Sequence, residues 1–234
     1  MRLGIMQPYF FPYLGYFELM ARTGRWIVFD VVKYAPKSWM NRNRILHPKH
    51  GWQYVTVPVV HTGADMLIKD VRTVDRARAA ERILGQIDHY RMRRAPFFTA
   101  VRDLVRGSLL GGDSDLLRDI NLRSLGLTCA YLGVPAHMEM LSEMGLSLPP
   151  ITEPGQWALE ISSALGAEEY LNPPGGRGLF DVAAFAARGI RITFTELPEF
   201  AYACRPYQFI PNLSILDVLM WNEPVRVREF LCRD

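Results

Sequence analysis

The chain is short of the residue patterns that would settle its chemistry at a glance. It has only three cysteines, Cys129, Cys204 and Cys232, an odd number with no CxxC spacing and mostly apolar neighbours. That pattern fits reduced structural thiols rather than a disulfide framework or a thiolate metal site. The five histidines, His47, His50, His61, His89 and His137, are scattered, and Pro48 keeps His47 and His50 from sharing a helical face, so no metal site is expected. No uninterrupted apolar run approaches the roughly 20 residues that a membrane span needs. The N-terminal MRLGIMQPYFFPY has too short an apolar run, and no small-residue cleavage site, for a secretory signal. Nor is there a large excess of either charge: 27 Lys and Arg stand against 24 Asp and Glu, a formal net charge of +3. Disorder, collagen and coiled coil are excluded by composition, and a soluble, cytoplasmic protein is the expectation.

What is present is an alternation of strand and helix signals across 234 residues, a length suited to a single α/β domain (1–234) with residues 75–133 as a helical insert or subdomain. Leu3–Met6 reads as a buried strand. Tyr13, Phe17 and Met20 recur at helical spacing up to a stop near Gly24, and Trp26–Asp30 reads as a second strand covered on both faces. Strand, helix and strand within thirty residues form a βαβ unit, which places the loop after Met6 and the loop after Phe29 at one edge of a parallel sheet. Residues 31–50 read as a basic loop, with Lys33, Lys37, Arg42, Arg44 and Lys49 and no acid. Trp52–Val60 alternates as a strand, with Pro58 marking an edge or bulge. Residues 75–133 are helical and Arg-rich, Met138–Met144 is a weak strand, and Trp157–Leu165 is a helix. Glu169–Asn172 is a strand running into a Pro-Pro-Gly-Gly loop, Phe180–Arg188 a helix and Ile190–Thr195 a strand. A final helix opens at Ser214, with Asp217 three residues on as an altered capping box. The fold class that follows is a Rossmann-like, mostly parallel sheet.

Ligands of such sheets bind beyond the carboxyl ends of the strands. Those ends deliver Gln7, the aromatic turn with Tyr9, Tyr13 and Tyr16, Asp30, and Gly175 and Gly176. Glycine amides beside Lys33, Arg42 and Arg44 suit a phosphate or other anion, and Arg42 and Arg44, separated by Asn43, suit bidentate recognition of a carboxylate or phosphate. Trp39 adds a stacking surface or lid. Gln7 either positions a carbonyl or satisfies the turn backbone. Asp30 either handles a proton or a substrate amine or caps a loop, and Ser214 and Asp217 either contact substrate or cap their helix. Nine arginines between Arg72 and Arg106 give a basic face or an ordinary solvated surface.

Two resemblances sharpen this. Phe11-Pro12-Tyr13-Leu14-Gly15-Tyr16 resembles the phosphate-binding turn of class I synthetase-like nucleotidyltransferases, with Tyr13 and Tyr16 where that superfamily has two histidines. The second covers almost the whole chain. Gln7–Phe17, Asp30 with Lys33-Tyr34, Ser38–Ile45, Val57-Pro58-Val59, Tyr90 with Ala95–Phe98, Tyr170-Leu171 with Gly175-Gly176, and Leu213–Leu219 resemble the WbqC-like family, except that Asp30-Val31 stands where members often have two acids. The family is encoded in surface-polysaccharide and natural-product gene clusters. The resemblance implies transfer of an aminoacyl or acyl group from an activated, phosphate-bearing donor (a tRNA, a carrier-protein thioester or an adenylate) to a small amine.

In that reading Gln7, Tyr13, Asp30 and Lys33 are the candidate catalytic residues, with Asp30 taking the amine proton. Tyr9, Tyr16, Trp39, Arg42, Asn43, Arg44, Gly175, Gly176, Ser214 and Asp217 bind substrate, and no cofactor is assigned. A Mg²⁺-dependent nucleotidyltransferase and a non-catalytic partner-binding module are the alternatives.

Overall fold

The computed structural model describes residues 1–60, 63–196 and 198–233, which leaves His61 outside the described residues. Five short strands form one parallel sheet. In chain order the elements are β1 (Arg2–Met6), α1 (Leu14–Arg22), β2 (Arg25–Val28), β3 (Arg42–Leu46), β4 (Trp52–Thr56), α2 (Arg76–Met92), α3 (Phe98–Leu110) and α4 (Leu117–Leu132). They continue with β5 (Met138–Met140), α5 (Gln156–Ala164), β6 (Glu169–Asn172), α6 (Val182–Ala187), β7 (Arg191–Phe194), α7 (Ile215–Trp221) and α8 (Pro224–Leu231). The sheet order is β5-β2-β1-β6-β7, with every pairing parallel, and β3 and β4 form a separate antiparallel hairpin.

The strands read as near-continuous apolar runs because both faces of the sheet are covered. Leu3 and Ile5 of β1, Ile27 of β2 and Tyr170 of β6 point into one cluster, closed by Leu159 and Ile161 of α5 and Phe185 of α6. Trp26 and Val28 of β2 and Leu171 of β6 point into the other, where they meet Phe17 of α1, Leu125 of α4 and Leu231 of α8. The period-two switch of faces is the signature of a strand between two helical layers. At Gly4 the Trp26 ring lies so close that an added Cβ would stand 2.5 Å from it, so β1 and β2 pack through a missing side chain. The chain is thus α/β and Rossmann-like.

The helical reading of 75–133 holds for α2, α3 and α4, which lie between β4 and β5 in the chain. Their buried Ile83, Ile87, Val101, Val105 and Ile120 belong to the same cluster as Phe10 and Phe17 of the N-terminal βαβ unit. One expectation is corrected: the segment 31–50 is not loop throughout, because Arg42–Leu46 is β3, paired residue for residue with Trp52–Thr56. Its alternation of polar Arg42 and Arg44 with buried Asn43 and Ile45 is strand patterning, written with arginine and asparagine in place of the usual β-branched residues. The Pro-Pro-Gly-Gly stretch is likewise more regular than a loop, forming 3₁₀ turns over Pro174–Leu179.

Candidate functional site

The order β5-β2-β1-β6-β7 reverses the direction of winding between β1 and β6, and the crevice outside the carboxyl ends at such a switch point is where open α/β sheets take ligands. A cleft of about 530 Å³ lies there. Met6 at the end of β1, Pro173 and Pro174 after β6, and Thr195 after β7 form one side. Tyr9, Pro12, Tyr13, Gly15 and Glu18 of the aromatic turn and α1, with Trp39, Asn43, Arg44 and Asn212, complete it.

The aromatic turn is held by amide and hydroxyl side chains from distant parts of the chain. Asn43 Nδ2 donates to the carbonyls of Phe10 (3.1 Å) and Phe11 (2.9 Å), and Asn121 Nδ2 of α4 donates to the carbonyls of Pro8 and Met40, both at 2.8 Å. Ser214 Oγ donates to the Phe11 carbonyl at 2.7 Å, while the backbone amides of Ser214 and Ile215 donate to the carbonyls of Arg44 and Pro12. Phe11 sits at φ +40°, a left-handed conformation uncommon for a bulky residue, and the five hydrogen bonds to the carbonyls of Pro8, Phe10, Phe11 and Pro12 stabilise the turn around it. The fully buried Tyr16 donates its hydroxyl to the Gln7 carbonyl at 2.9 Å. A turn fixed from four sides presents Tyr9 and Tyr13 to the cleft. Gly15 makes room for Tyr13, because a Cβ there would lie 2.5 Å from the Tyr13 ring.

On the hairpin side, Arg44 lies over both the Trp39 and Trp52 rings, with its guanidinium carbon 5.3 and 5.2 Å from their centroids. Both indoles are exposed, at 39 % and 42 %. One Nη of Arg44 donates to the Asn212 carbonyl at 3.3 Å, and its Nε has no partner although it is out of water. Arg44 is the only cation lining the cleft, and Glu18 is the only acid, among the described residues. Glu18 is 1 % exposed. Its Oε1 forms an ion pair with Arg22 at 3.2 Å and accepts from Arg233 at 3.3 Å, and its Oε2 has no partner. Burial raises the Glu18 carboxyl against the opposing pull of the two guanidiniums. Burial, and then the Glu18 charge, raises the Tyr13 hydroxyl.

Of the candidates named from sequence, Tyr9, Tyr13, Trp39, Asn43 and Arg44 come together in this cleft. The others do not. Asp30, expected among Lys33, Arg42 and Arg44, is 0 % exposed, and both its oxygens are engaged: by Arg118 Nη1 at 2.9 Å, the Ser142 amide at 3.0 Å and Ser142 Oγ at 2.6 Å. It ties the end of β2 to α4 and to the turn after β5, and it is not among the residues lining the cleft. Lys33 pairs with exposed Asp65 at 2.6 Å on the surface. Arg42 stacks on Tyr54 at 4.1 Å, beside the cleft rather than in it. Gln7 enters through its main-chain carbonyl and Tyr16 through a structural hydroxyl. Gly176 is required by packing, since a Cβ would collide with the Asn172 amide, whereas Gly175 is open; both follow the lining prolines without joining them.

Ser214 caps α7 as expected, accepting from the Leu216 amide at 3.2 Å. Asp217 is not the second half of a capping box, however. It is buried, and its two oxygens accept from the hydroxyls of Tyr90 of α2 and Tyr202. The Tyr90 hydroxyl in turn accepts from the Leu46 amide at 3.0 Å. Burial lifts the Asp217 carboxyl to about 6. Beside it His89 Nδ1 meets the Tyr207 hydroxyl at 2.7 Å, and burial pushes the imidazole down to about 4.

Among the Arg-rich helices, Arg76, Arg91 and Arg102 are engaged by Asp115, Asp88 and Asp103. No group of three or more His, Cys, Asp or Glu residues is placed to hold a metal ion, and no helix is long and apolar enough to cross a membrane, among the described residues.

Sequence reasoning missed Glu18, Thr195 and Asn212 in the cleft and Asn121 behind it. Glu18 carried a readable signal, an acid enclosed by the apolar residues of Tyr16-Phe17-Glu18-Leu19-Met20. Asp217 carries the same one in Ile215-Leu216-Asp217-Val218-Leu219.

Fold and cleft together define an α/β protein with an open cleft at the switch point of a parallel sheet. Comparison with known proteins gives the family: the model of the WbqC-like protein family matches residues 7–229, and the chain belongs to it. It is similar along its length to the uncharacterized protein Rv1507c of Mycobacterium tuberculosis, at 27 % identity over 242 residues and 99 % of each chain. No solved structure gives a significant match.

Proposed function

We propose that this member of the family is a cytoplasmic transferase of surface-polysaccharide or natural-product biosynthesis. It moves an aminoacyl or acyl group from an activated donor bearing phosphate onto a small amine, in the cleft between β1 and β6. The observation that carries this reading is Arg44, a guanidinium placed over two indoles at the carboxyl edge of the sheet, with an Nε–H out of water and without a partner. A buried donor of that kind costs roughly 1–3 kcal/mol while unpaired, and an anionic oxygen regains that energy on binding. Stacking on Trp39 and Trp52 fixes the plane of the guanidinium, so its donors face the anion at little further entropic cost. The sugar or carrier portion of the donor then runs along the exposed Trp39 face, with its acyl carbon over Tyr9 and Tyr13.

The fixed turn supports the rest of the chemistry. The Tyr13 hydroxyl, whose proton is held by burial and by the Glu18 charge, is a hydrogen-bond donor suited to a carbonyl oxygen that gains charge as the acyl carbon becomes tetrahedral. The test is direct. Purified protein is incubated with a primary amine and, separately, an aminoacyl-tRNA, an acyl-pantetheine thioester and an aminoacyl adenylate, and amide formation is followed by mass spectrometry. One donor class should give amide above the protein-free rate, and Arg44→Gln should lower kcat/KM for that donor at least tenfold. Absence of amide with all three donors, or an Arg44→Gln variant as active as the wild type, would overturn the proposal.

A further inference from the structure

Glu18 is the feature of the cleft that the anion-binding argument leaves unused. It lies on α1 one turn beyond Gly15, on the helix face turned to the cleft, and is the only acid lining it among the described residues. A carboxylate serving only to anchor Arg22 and Arg233 would share its two oxygens between them, the arrangement that maximises charge-assisted hydrogen bonding. Instead both guanidiniums approach Oε1, at 3.2 and 3.3 Å, and Oε2 is left with neither partner nor solvent. A buried carboxylate oxygen in that position is costly unless a donor reaches it. Glu18 lines the cleft, as Arg44 does, so a donor bound there is the one placed to reach it.

Resting on the acyl-transfer reading above, we infer that Glu18 is the acceptor subsite, a carboxylate that recognises the primary ammonium of the acceptor and takes its proton. The ammonium gives one proton to Oε2, and the freed nitrogen lone pair attacks the acyl carbon of the donor. The acyl–oxygen or acyl–sulfur bond breaks with its electron pair leaving on the oxygen or sulfur. The second nitrogen proton passes to that leaving group, and Glu18 returns its own proton to solvent when the amide departs. Arg22 and Arg233 act as positioning residues, holding the carboxylate through Oε1 and leaving Oε2 unpaired. The acceptor class is a small primary amine, short enough to pass Tyr13 and reach the floor beside Gly15.

Calorimetric titration with two simple probes separates the amine and anion sites: glycinamide, an ammonium without a carboxylate, and inorganic pyrophosphate. Wild type should bind both. Glu18→Gln should weaken glycinamide at least tenfold and leave pyrophosphate within twofold, and Arg44→Gln should weaken pyrophosphate at least tenfold. Glu18→Asp, which keeps the charge but withdraws it by one methylene, should fall between wild type and Glu18→Gln for glycinamide, and it decides the matter if Glu18→Gln does not fold. Glycinamide affinity unchanged in Glu18→Gln or Glu18→Asp, or no glycinamide binding by wild type, would overturn the inference. Loss of pyrophosphate binding by wild type would instead remove the anion site on which the acyl-transfer reading stands, so the two failures are told apart.

Discussion

Two buried titratable groups near the Tyr90 hydroxyl and ring should make stability respond to pH in opposite directions. The Asp217 carboxyl moves from 3.8 to about 6, chiefly because it is buried. At about 1.4 kcal/mol for each tenfold change in acid strength, housing it as a carboxylate costs about 3 kcal/mol. Because the folded state holds the proton more tightly, that cost is absent below pH 3.8, grows as the pH rises, and is complete above about 6. The His89 imidazole moves from 6.5 to about 4, again through burial. Here the folded state holds the proton less tightly, so about 3 kcal/mol of stability is gained as the pH rises from about 4 to 6.5. In wild type the two slopes cancel across this window.

Single variants unmask them. Asp217→Asn keeps one acceptor and adds one donor for the Tyr90 and Tyr202 hydroxyls, and its stability relative to wild type should rise by about 3 kcal/mol between pH 3.8 and about 6. His89→Gln should do the reverse and lose about 3 kcal/mol between about pH 4 and 6.5. Urea denaturation followed by tryptophan fluorescence at half-unit pH steps reads both, and the difference from wild type removes the contribution of the other carboxylates. Variant and wild-type curves running parallel across the window would refute the assignment of either group.

Asp30→Ala should destabilise the fold by about 3 kcal/mol, the lower end for breaking a buried ion pair, since Arg118 keeps Asp119 and Glu143. Chemical denaturation measures it, and pyrophosphate titration of the folded variant should match wild type, whereas a catalytic Asp30 would lower turnover without that loss of stability. Gly15→Ala should displace the Tyr13 ring, with a cost of roughly 1–3 kcal/mol from overpacking and a several-fold weaker binding of pyrophosphate and glycinamide. Gly15→Ala combined with Tyr13→Ala should recover most of the stability, because the clash is with that ring.

The parallel sheet was legible because its strands are written in a single code. Leu3–Met6 and Trp26–Val28 are apolar on both faces, and only a strand between two helical layers accounts for that. The hairpin strand β3 was not legible, since Arg42-Asn43-Arg44 alternates between two polar types. Its inward side chain is an asparagine whose partners are main-chain carbonyls 32 and 33 residues away. Basic residues clustered in sequence suggested one anion site, but although the strand period sends Arg42 and Arg44 to the same face, Arg42 packs on Tyr54 outside the cleft lining and only Arg44, over Trp39 and Trp52, lines it.

Asp30 illustrates the opposite limit. Position at a strand end is a local property and reads from sequence. Whether a carboxylate there stays free depends on long-range contacts: Arg118 and Ser142 arrive from 88 and 112 residues downstream and use both oxygens. The same reasoning applied to Glu18 gives the reverse outcome, since its cations come from the next turn of its own helix and from the far end of the chain, and they converge on a single oxygen. What distinguishes a structural acid from an available one in this protein is therefore not the residue or its burial, which Asp30 and Glu18 share. It is the number of lone pairs the rest of the fold leaves unspent, and in the cleft that count favours Glu18.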